Sequence, residues 1–556
     1  MNVMKKKSRA RLFAVCTAVL ALCASCESTD KERYVADVPD YTSEDAVAYE
    51  IQEIQKALEK EPVKSLWRAK LLEQVHPSRG NIQSLLADCE EKVVSLYKKE
   101  LEGRNYLDAL RYYQSLQAVD YKGLSSLSQQ ERQLRQNIVR NVPGLTTLPE
   151  SQNTKVADLI KGTVTVFVDK GIKVENGKGY ADGVLGSGFF ISKNGYIVTN
   201  HHVIEDCVNP EYEGFARLYI RLAEDPETRI PAKIIGYDKS IDLALLKTEV
   251  DAPYIFNLGS SADLNVGDKV YAIGSPLGLD RTLTSGIISS KDRDLFTSAR
   301  MFQIDAAVNS GNSGGPLIDE QGNVQAIVFA GVQNYQGLNF AIPVEYLKNE
   351  LPILYAGGAR KHPWICAYGK TKRLPGSGVE NEGLNILYTM PGGSALRSGI
   401  SVGDTVVAVN AIPVSSREDF GSIMMQCKAD TIVRITVQDE NGRTSRKIVY
   451  LEQRPEEPGL EVYKRDAIST ALIPLMGMEL VASSTSSKRQ YTVKSVIKGS
   501  LADDSGFNEN DTVQVIKTEV SEEEYLIIQL YARKRANAFI DVAFGLRVPL
   551  DSLYYF

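Results

Sequence analysis

The sequence predicts a mainly β chain with α-helical parts, divided into several globular domains. Residues 155–356 consist of short β-rich runs broken by turns, which predicts two small antiparallel barrels with a site in the cleft between them. A segment around Asp404 recurs 107 positions later around Asp511, which predicts an internal duplication. Residues 40–140 are poor in glycine and follow a helical hydrophobic period. With 556 residues, 43% of them hydrophobic, the chain has material for roughly three to four domain cores.

The first residues have the pattern of an export signal. Basic residues precede an apolar run over residues 12–23, which is too short for a stop-transfer span. The end of this run resembles a bacterial lipoprotein box, although Cys23 stands where a small or aliphatic residue is usual. We therefore expect a lipoprotein-type signal over residues 1–26 and a lipid on Cys26 that anchors the protein to a membrane. The alternative is ordinary signal-peptidase cleavage, which leaves Cys26 as a plain thiol.

Residues 40–140 are predicted to form a helical domain. Within them, residues 97–116, with Gly103 at a turn, resemble one tetratricopeptide-like helix pair. A stable array of such pairs needs about three repeats, so a small helical bundle is the alternative. Such a domain would serve either as a spacer or as a groove for a partner. The polar stretch 141–154, broken by two prolines, predicts a linker to the next domain.

A glycine-rich run at residues 309–317 predicts a tight turn that presents the hydroxyl of Ser313. Because glycine permits positive φ and close backbone approach, the amides of Gly311 and Ser313 can point at one oxyanion beside that hydroxyl. Serine is not nucleophilic at its ordinary pKa and needs a neighbouring base. The run therefore indicates a nucleophile together with its oxyanion hole.

The candidate base is His202, one of four histidines, at the end of a predicted strand. His201 is a rival, but adjacent strand residues point to opposite faces, so only one of the two can reach Ser313. Asp242 lies in the otherwise apolar run 241–247, where a buried carboxylate needs a partner such as an imidazole N–H. The order His202, Asp242, Ser313 is that of the chymotrypsin-type proteases.

Three segments closely resemble the catalytic signatures of the HtrA/Deg family of trypsin-like serine proteases: residues 199–203, 242–247 and 311–317. The resemblance continues through the connecting stretches and covers roughly residues 155–355 and the region that follows. It implies a chymotrypsin-like double β-barrel over residues 155–356. The family pattern places the base directly before valine, which favours His202 over His201.

The resemblance also implies a role for each matched residue. His202 would be the general base, Asp242 would orient it, and Ser313 would be the nucleophile. The S1 pocket would be lined by the strand that contains Ala326, Ile327 and Val328. Because this strand holds no acidic residue, we expect cleavage after small or medium apolar side chains.

Residues 392–410 and 499–513 resemble the central segment of a PDZ domain, so we expect two such α+β domains, at 360–455 and 470–550. PDZ domains bind an extended peptide as an added strand and hold its C-terminal carboxylate in a hydrophobic-Gly-hydrophobic loop. The second copy matches this loop at Met476, Gly477 and Met478. The first copy has Ile365, Cys366 and Ala367 there, with a cysteine where glycine is expected.

We therefore expect peptide binding at the second PDZ domain more than at the first. The alternative is that both domains only dock on the protease and gate it. Residues 553–556, Leu-Tyr-Tyr-Phe, are of the kind that PDZ sites accept. We expect them to form a last strand of the second domain, with self-capture or binding to another subunit as the alternative.

By resemblance, the chain is an exported, periplasmic, ATP-independent serine endopeptidase that degrades misfolded or unassembled proteins of the bacterial cell envelope. PDZ-dependent substrate binding or regulation is implied, and so is assembly into trimers or larger homo-oligomers. No metal, nucleotide or prosthetic group is implied. The alternatives are a narrow signalling protease activated by C-terminal peptides and a non-catalytic holdase or peptide-binding scaffold.

Charge and cysteine content bear on two further properties, nucleic-acid binding and disulfide formation. A net charge of −6, with no basic block outside the N-terminus, argues against nucleic-acid binding. The cysteines beyond residue 26 are scattered among the predicted domains, so we expect buried small apolar side chains and not disulfides at Cys89, Cys207, Cys366 and Cys427.

Overall fold

The computed structural model describes residues 41–146, 156–274, 282–294, 300–309, 311–331, 338–372, 382–482, 490–521, 524–535, 539–552 and 554–556. By its internal contacts the described chain forms two compact units. The larger holds the residues up to 389 together with 393–456 and 551–556, and the smaller holds 390–392 and 457–550. The expected export signal, residues 1–26, lies outside the described residues. Among the described helices, none is both long and apolar enough to cross a membrane.

The larger unit begins with a set of α-helices: α1 (Glu44–Ala57), α2 (Pro62–Val75), α3 (Gly80–Glu102), α4 (Tyr106–Ala118) and α5 (Glu131–Asn141). Ser43 caps α1 by accepting a hydrogen bond from the amide of Ala46, and Pro62 begins α2, where its missing N–H leaves no bond unmade. Trp67 and Tyr97 are fully buried. The helices thus form a packed core, in which Gly103 ends α3 before the turn into α4.

The next part of the larger unit is an eight-stranded sheet. Its strands are β1 (Thr163–Glu175), β2 (Lys178–Phe190), β3 (Tyr196–Thr199), β4 (Arg217–Arg221), β5 (Ile230–Pro231), β6 (Lys233–Asp238), β7 (Leu243–Lys247) and β14 (Gly358–Ala359). Their spatial order is β14-β6-β7-β3-β2-β1-β4-β5. Val164, Val166 and Val168 alternate along β1 and are fully buried, as a one-sided core requires. Helix α6 (Val156–Gly162) precedes the sheet, and the short helix α7 (His201–Ile204) follows β3.

The following strands close into a barrel. They are β8 (Lys269–Gly274), β9 (Thr282–Asp294), β10 (Arg300–Ile304), β11 (Pro316–Ile318), β12 (Val324–Gly331) and β13 (Asn339–Pro343), in the order β10-β13-β12-β11-β8-β9. Helix α8 (Val344–Ala356) leads out of it. Leu317 and Ile304 are among the side chains that fill its interior. The loop before β11 carries Ser313, which places the predicted nucleophile at the edge of this barrel.

Residues 363–456 form what we call the first β-module. Its elements are β15 (Pro363–Trp364), β16 (Ala367–Thr371), β17 (Leu384–Thr389), α9 (Ser394–Arg397), β18 (Thr405–Val409), β19 (Ile412–Pro413), α10 (Arg417–Met425), β20 (Thr431–Gln438) and β21 (Thr444–Gln453). The sheet order is β15-β21-β20-β18-β17-β16, with β19 beside β18. Phe420 of α10 is fully buried against this sheet.

The smaller unit contains the second β-module, residues 457–550. It consists of α11 (Pro458–Arg465), α12 (Ile468–Met476), β22 (Met478–Ala482), β23 (Gln490–Val496), α13 (Leu501–Asp504), β24 (Thr512–Ser521), β25 (Tyr525–Arg535) and β26 (Phe539–Pro549). Its sheet runs in sequence order from β22 to β26. Leu550 closes it, because its N–H donates to the Glu524 carbonyl at 2.9 Å and its own carbonyl accepts from Gly459 at 2.7 Å.

Residues 554–556 do not complete the second β-module, so that expectation is wrong. They belong to the larger unit, where Tyr555 bridges antiparallel to Tyr368 of β16. The second β-module already ends at Leu550, and the chain returns to the first β-module after it.

The helical bundle packs directly on the first β-module. The indole N–H of Trp67 donates to the carbonyl of Ile448 at 3.0 Å, and its ring stacks on Tyr450 with centroids 5.6 Å apart. The amide of Ile432 donates to the hydroxyl of Ser115 at 3.1 Å. These contacts make the bundle a packing partner of β20 and β21. The predicted mainly β fold, with a helical N-terminal region, is confirmed.

Replacement of Trp67 by alanine should destabilise the larger unit by about 3–5 kcal/mol, because it opens a cavity and leaves the Ile448 carbonyl without its donor. Tyr49→Ala is the control, since Tyr49 is 64% exposed in α1, and it should change stability by less than about 0.5 kcal/mol. Urea unfolding followed by circular dichroism measures both. Equal midpoints for the two variants would contradict the packing described.

Candidate active site

His202 follows the end of β3, and Asp242 directly precedes the start of β7. The two side chains meet at this end of the sheet. The Nδ1 of His202 lies 2.7 Å from Oδ2 of Asp242, and the backbone N–H of His202 donates to Oδ1 at 2.7 Å. Each carboxylate oxygen therefore holds one nitrogen of the same residue. This fixes the ring and favours the tautomer with the proton on Nδ1, so that Nε2 is available as a base.

Asp242 is held in an uncommon backbone conformation. Its φ is 58°, in the left-handed region, which costs a residue other than glycine on the order of 1–3 kcal/mol. The side-chain amide of Asn200 donates to the Asp242 carbonyl at 2.8 Å. Asp242 is 5% exposed, so its carboxylate depends on its partners and not on water. The strained turn aims both oxygens at His202.

The two neighbouring histidines have different environments. Partial burial lowers the pKa of His202, but the hydrogen bond and charge of Asp242, with the charge of Glu205, outweigh it and raise the pKa above its ordinary value. His201 is buried, its ring stacks on Tyr237 with centroids 5.2 Å apart, and burial lowers its pKa. The structure thus brings His202, and not His201, to Asp242.

The loop of Ser313 is held against β2. The amide of Ser187 donates to the Ser313 carbonyl at 2.7 Å, and the Ser187 hydroxyl donates to the Gly311 carbonyl at 2.6 Å. Gly314 has a φ of 84°, and a Cβ there would lie 2.2 Å from the Ser187 carbonyl oxygen. Only glycine fits that position, which explains part of the glycine-rich pattern. The oxyanion hole formed by the Gly311 and Ser313 amides stays a prediction.

The hydroxyl of Ser313 donates to the carbonyl of Phe329 in β12 at 3.0 Å. A hydroxyl has one proton, so in this arrangement it does not also donate to His202. The Phe329 ring stands edge-on to the His202 ring, with centroids 6.2 Å apart. Before Ser313 can pass its proton to His202, its hydroxyl must leave Phe329.

Of the predicted S1 residues, Ala326 and Val328 lie in the barrel core, and Ile327 lies on the opposite face of β12 in a separate hydrophobic cluster. The side chains of Ala326, Ile327 and Val328 are fully buried, so their role in a pocket stays a prediction. Phe329, which follows them on β12, is the residue whose ring reaches His202. The sequence analysis missed it, and its place next to the predicted pocket strand was the available signal.

The two predicted carboxylate-binding loops share one backbone conformation. Cys366 has a φ of 62° and Gly477 a φ of 82°, both left-handed. Ile365, Ala367, Met476 and Met478, which flank these two residues, are all buried. The cysteine therefore does not prevent the loop conformation, and burial raises the pKa of its thiol well above the ordinary value. Cys89, Cys207, Cys366 and Cys427 are free thiols.

The second wall of a peptide groove distinguishes the two β-modules. In the first, α10 lies between β19 and β20 and packs beside β16. In the second, β24 and β25 are joined by only residues 522–524, too few for a helix such as α10. A helix at this place in the sequence is thus described for the first module, and the expectation that the second module binds peptides better stays a prediction.

Comparison with known families matches three parts of the chain. Residues 186–327 match a model described as a trypsin-like peptidase domain, and residues 459–550 match a TP0546 family PDZ domain. Residues 45–138, which form the helical bundle, match a domain of unknown function, DUF8517.

Curated relatives are similar to about half of the chain. A probable periplasmic serine endoprotease DegP-like from Pseudomonas fulva is 35% identical over 273 residues, which are 48% of this chain and 55% of the relative. Protease Do-like 1, chloroplastic, of Arabidopsis thaliana is 35% identical over 300 residues, 49% of this chain and 64% of the relative. The chain thus spans less than two thirds of the length of these relatives.

Solved structures similar to this chain include the HtrA-type protease AlgW with decapeptide, with a TM-score of 0.44 at 23% identity. It is matched over 54% of this chain and 99% of its own. The serine endoprotease from Yersinia pestis has a TM-score of 0.41 at 26% identity, over 55% of this chain and 100% of its own.

Asp242→Asn should lower the pKa of His202, because the hydrogen bond and charge that raise it are weakened while burial remains. In the parent, the stabilisation from this pair is fully present below the ordinary histidine pKa of 6.5 and is lost as pH rises through the raised value. NMR titration of the ring measures the shift. Asp305→Asn, a carboxylate that accepts from the Ile287 amide, is the control and should leave it unchanged. An unshifted His202 in Asp242→Asn would contradict the geometry.

Proposed function

We propose that this chain is an ATP-independent serine endopeptidase of the HtrA family of trypsin-like serine proteases, since residues 186–327 match a trypsin-like peptidase domain and residues 459–550 match a PDZ domain. The observation that carries the proposal is the pairing of His202 with Asp242 beside the Ser313 loop. The Nδ1 and the backbone N–H of His202 are both hydrogen-bonded to the buried carboxylate of Asp242. A structural histidine needs no such arrangement.

The geometry supports a two-step acyl transfer. The Ser313 hydroxyl leaves Phe329, passes its proton to Nε2 of His202, and its oxygen attacks the peptide carbonyl carbon. His202 then gives the proton to the leaving amine as the C–N bond breaks. A water molecule, deprotonated by the same nitrogen, hydrolyses the acyl ester and restores Ser313. Asp242 stabilises the imidazolium and does not itself take the proton.

The transition state would be stabilised by the amides of Gly311 and Ser313. The left-handed φ of 102° at Gly311 supports this role, because such a turn can direct successive amides to one side. The Phe329 carbonyl restrains this arrangement in the resting state by accepting a hydrogen bond from the Ser313 hydroxyl. Substrate binding along β12 would have to release it.

The proposed substrates are misfolded or unassembled polypeptides of the cell envelope. Relatives named as periplasmic serine endoproteases support an exported location. A lipid on Cys26, a trimeric or larger assembly and binding of C-terminal peptides at the PDZ domains belong to the same proposal. The lipid and the assembly rest on the sequence patterns alone.

Ser313→Ala should abolish cleavage of unfolded β-casein by the chain from residue 27 onward, because the nucleophile is removed. Asp242→Asn should lower kcat by about three to four orders of magnitude, because it favours the wrong tautomer of His202. Ser126→Ala, which removes a surface hydroxyl from the helical part, is the control and should retain activity. A fluorophosphonate probe should label the parent and not Ser313→Ala. A parent that neither cleaves casein nor reacts with the probe would refute the proposal and favour the scaffold alternative.

Specificity provides a separate check on the pocket. A peptide library should be cut after small or medium apolar residues, because the predicted pocket strand offers no carboxylate to a basic side chain. Mass spectrometry of the products gives the preference, and Ser313→Ala supplies the background. Preferential cleavage after Lys or Arg would contradict this prediction without touching the catalytic assignment.

A further inference from the structure

The segment Tyr554–Phe556 lies on the first β-module as an added antiparallel strand. The amide of Ala367 donates to the Phe556 carbonyl at 2.9 Å, and the Phe556 amide donates to the Ala367 carbonyl at 2.8 Å. The amide of Gly369 donates to the Tyr554 carbonyl at 3.1 Å. The edge of β16, which the sheet itself leaves unpaired, is thereby satisfied by this chain's own residues.

Two of the three aromatic side chains are received by the module's apolar surface. The ring of Phe556 meets that of Phe420 on α10 edge-on, with centroids 5.2 Å apart, and packs against the module core. Tyr555 is 5% exposed and its ring lies 5.5 Å from that of Tyr368. Phe556 therefore enters the groove between β16 and α10.

The side chain of Tyr554 makes cation–π contacts with two basic residues. The Nζ of Lys370 lies 4.9 Å from the centre of the Tyr554 ring, and the guanidinium of Arg417 lies 5.3 Å from it. Arg454 holds the start of the segment by donating to the Ser552 carbonyl at 3.3 Å. Each residue of the segment thus has a specific partner, as a bound peptide would.

We propose that the groove between β16 and α10 is a peptide-binding site whose resident ligand is Tyr554–Phe556, and that it accepts in exchange extended peptides with aromatic side chains at the same positions. Strand addition at a sheet edge with a pocket for a terminal side chain is a general mode of peptide recognition. The loop at Cys366 has the left-handed backbone that such a site requires.

The resident contact is small enough to exchange. It consists of three residues on one strand, held beside the groove by their own chain. A tethered ligand acts at an effective concentration in the millimolar range, so it occupies a weak site without closing it permanently. A foreign peptide must displace the segment, and its apparent affinity is reduced by the fraction of chains in which the groove is free.

Binding of a fluorescent peptide that copies residues 551–556 tests the proposal by polarisation. The protein is the chain from residue 27 onward with Ser313→Ala, so that the peptide is not cut. Phe556→Ala should bind the peptide at least about tenfold more tightly than this parent, because its own competitor is weakened. Tyr531→Ala, which removes a 52% exposed aromatic of the second β-module, is the matched control and should bind like the parent.

A second readout guards against a variant that only misfolds. Hydrogen exchange should show the amides of Ala367 and Gly369 protected in the parent, exposed in Phe556→Ala and protected again on addition of the peptide. A peptide in which Phe is replaced by Asp should restore nothing. Equal peptide affinity in the parent and Phe556→Ala, or no binding to either, overturns the proposal. Because Ser313→Ala carries no protease activity, this result is independent of the proposed catalysis.

Discussion

The candidate active site depends on one carboxylate that accepts hydrogen bonds from two nitrogens of His202. Asp242 can bond both the ring and the backbone amide of His202 only because its own backbone is in the left-handed region and its side chain is buried. Asn200 holds the carbonyl of Asp242 and so fixes the strained turn. If the carboxylate were in water, either bond would be worth little, since exposed ion pairs contribute about 0–1 kcal/mol. Burial, strain and orientation are therefore parts of a single arrangement.

That turn is also joined to the first β-module. Asp238, at the end of β6, accepts from the Ser240 amide at 2.8 Å and from Nε2 of His362 at 2.9 Å. Burial raises the pKa of Asp238, but the charge and hydrogen bond of His362 and the charge of Arg360 outweigh it and lower the pKa. Arg360 also donates to the carbonyl of Met425, the last residue of α10, at 3.0 Å. Arg360 thus connects the end of α10 with the turn before Asp242, through a hydrogen bond to Met425 and through its charge beside Asp238.

The Ser313 loop and the strand after Asp242 could be predicted from the sequence, because each depends on residues that are close together in the chain. The glycines around Ser313 and the apolar run after Asp242 are short-range patterns with direct backbone consequences. The role of Phe329 was not predictable, since it depends on how β12 lies against the Ser313 loop. Nothing in the sequence pointed to His362, whose partner is 124 positions away. The backbone at Cys366 was not predictable either, because the fold imposes a left-handed conformation there despite its Cβ.

The second β-module, residues 457–550, is joined to residues of the larger unit at both of its ends, at Glu456 and at Asp551. The first link is permanent, and the second holds only while Tyr554–Phe556 stays on β16. Such a bound segment closes a loop, which restricts everything between its ends, and the entropic cost of closure rises slowly with loop length. When the segment leaves, that loop opens, and the restriction on the residues between its ends is lost.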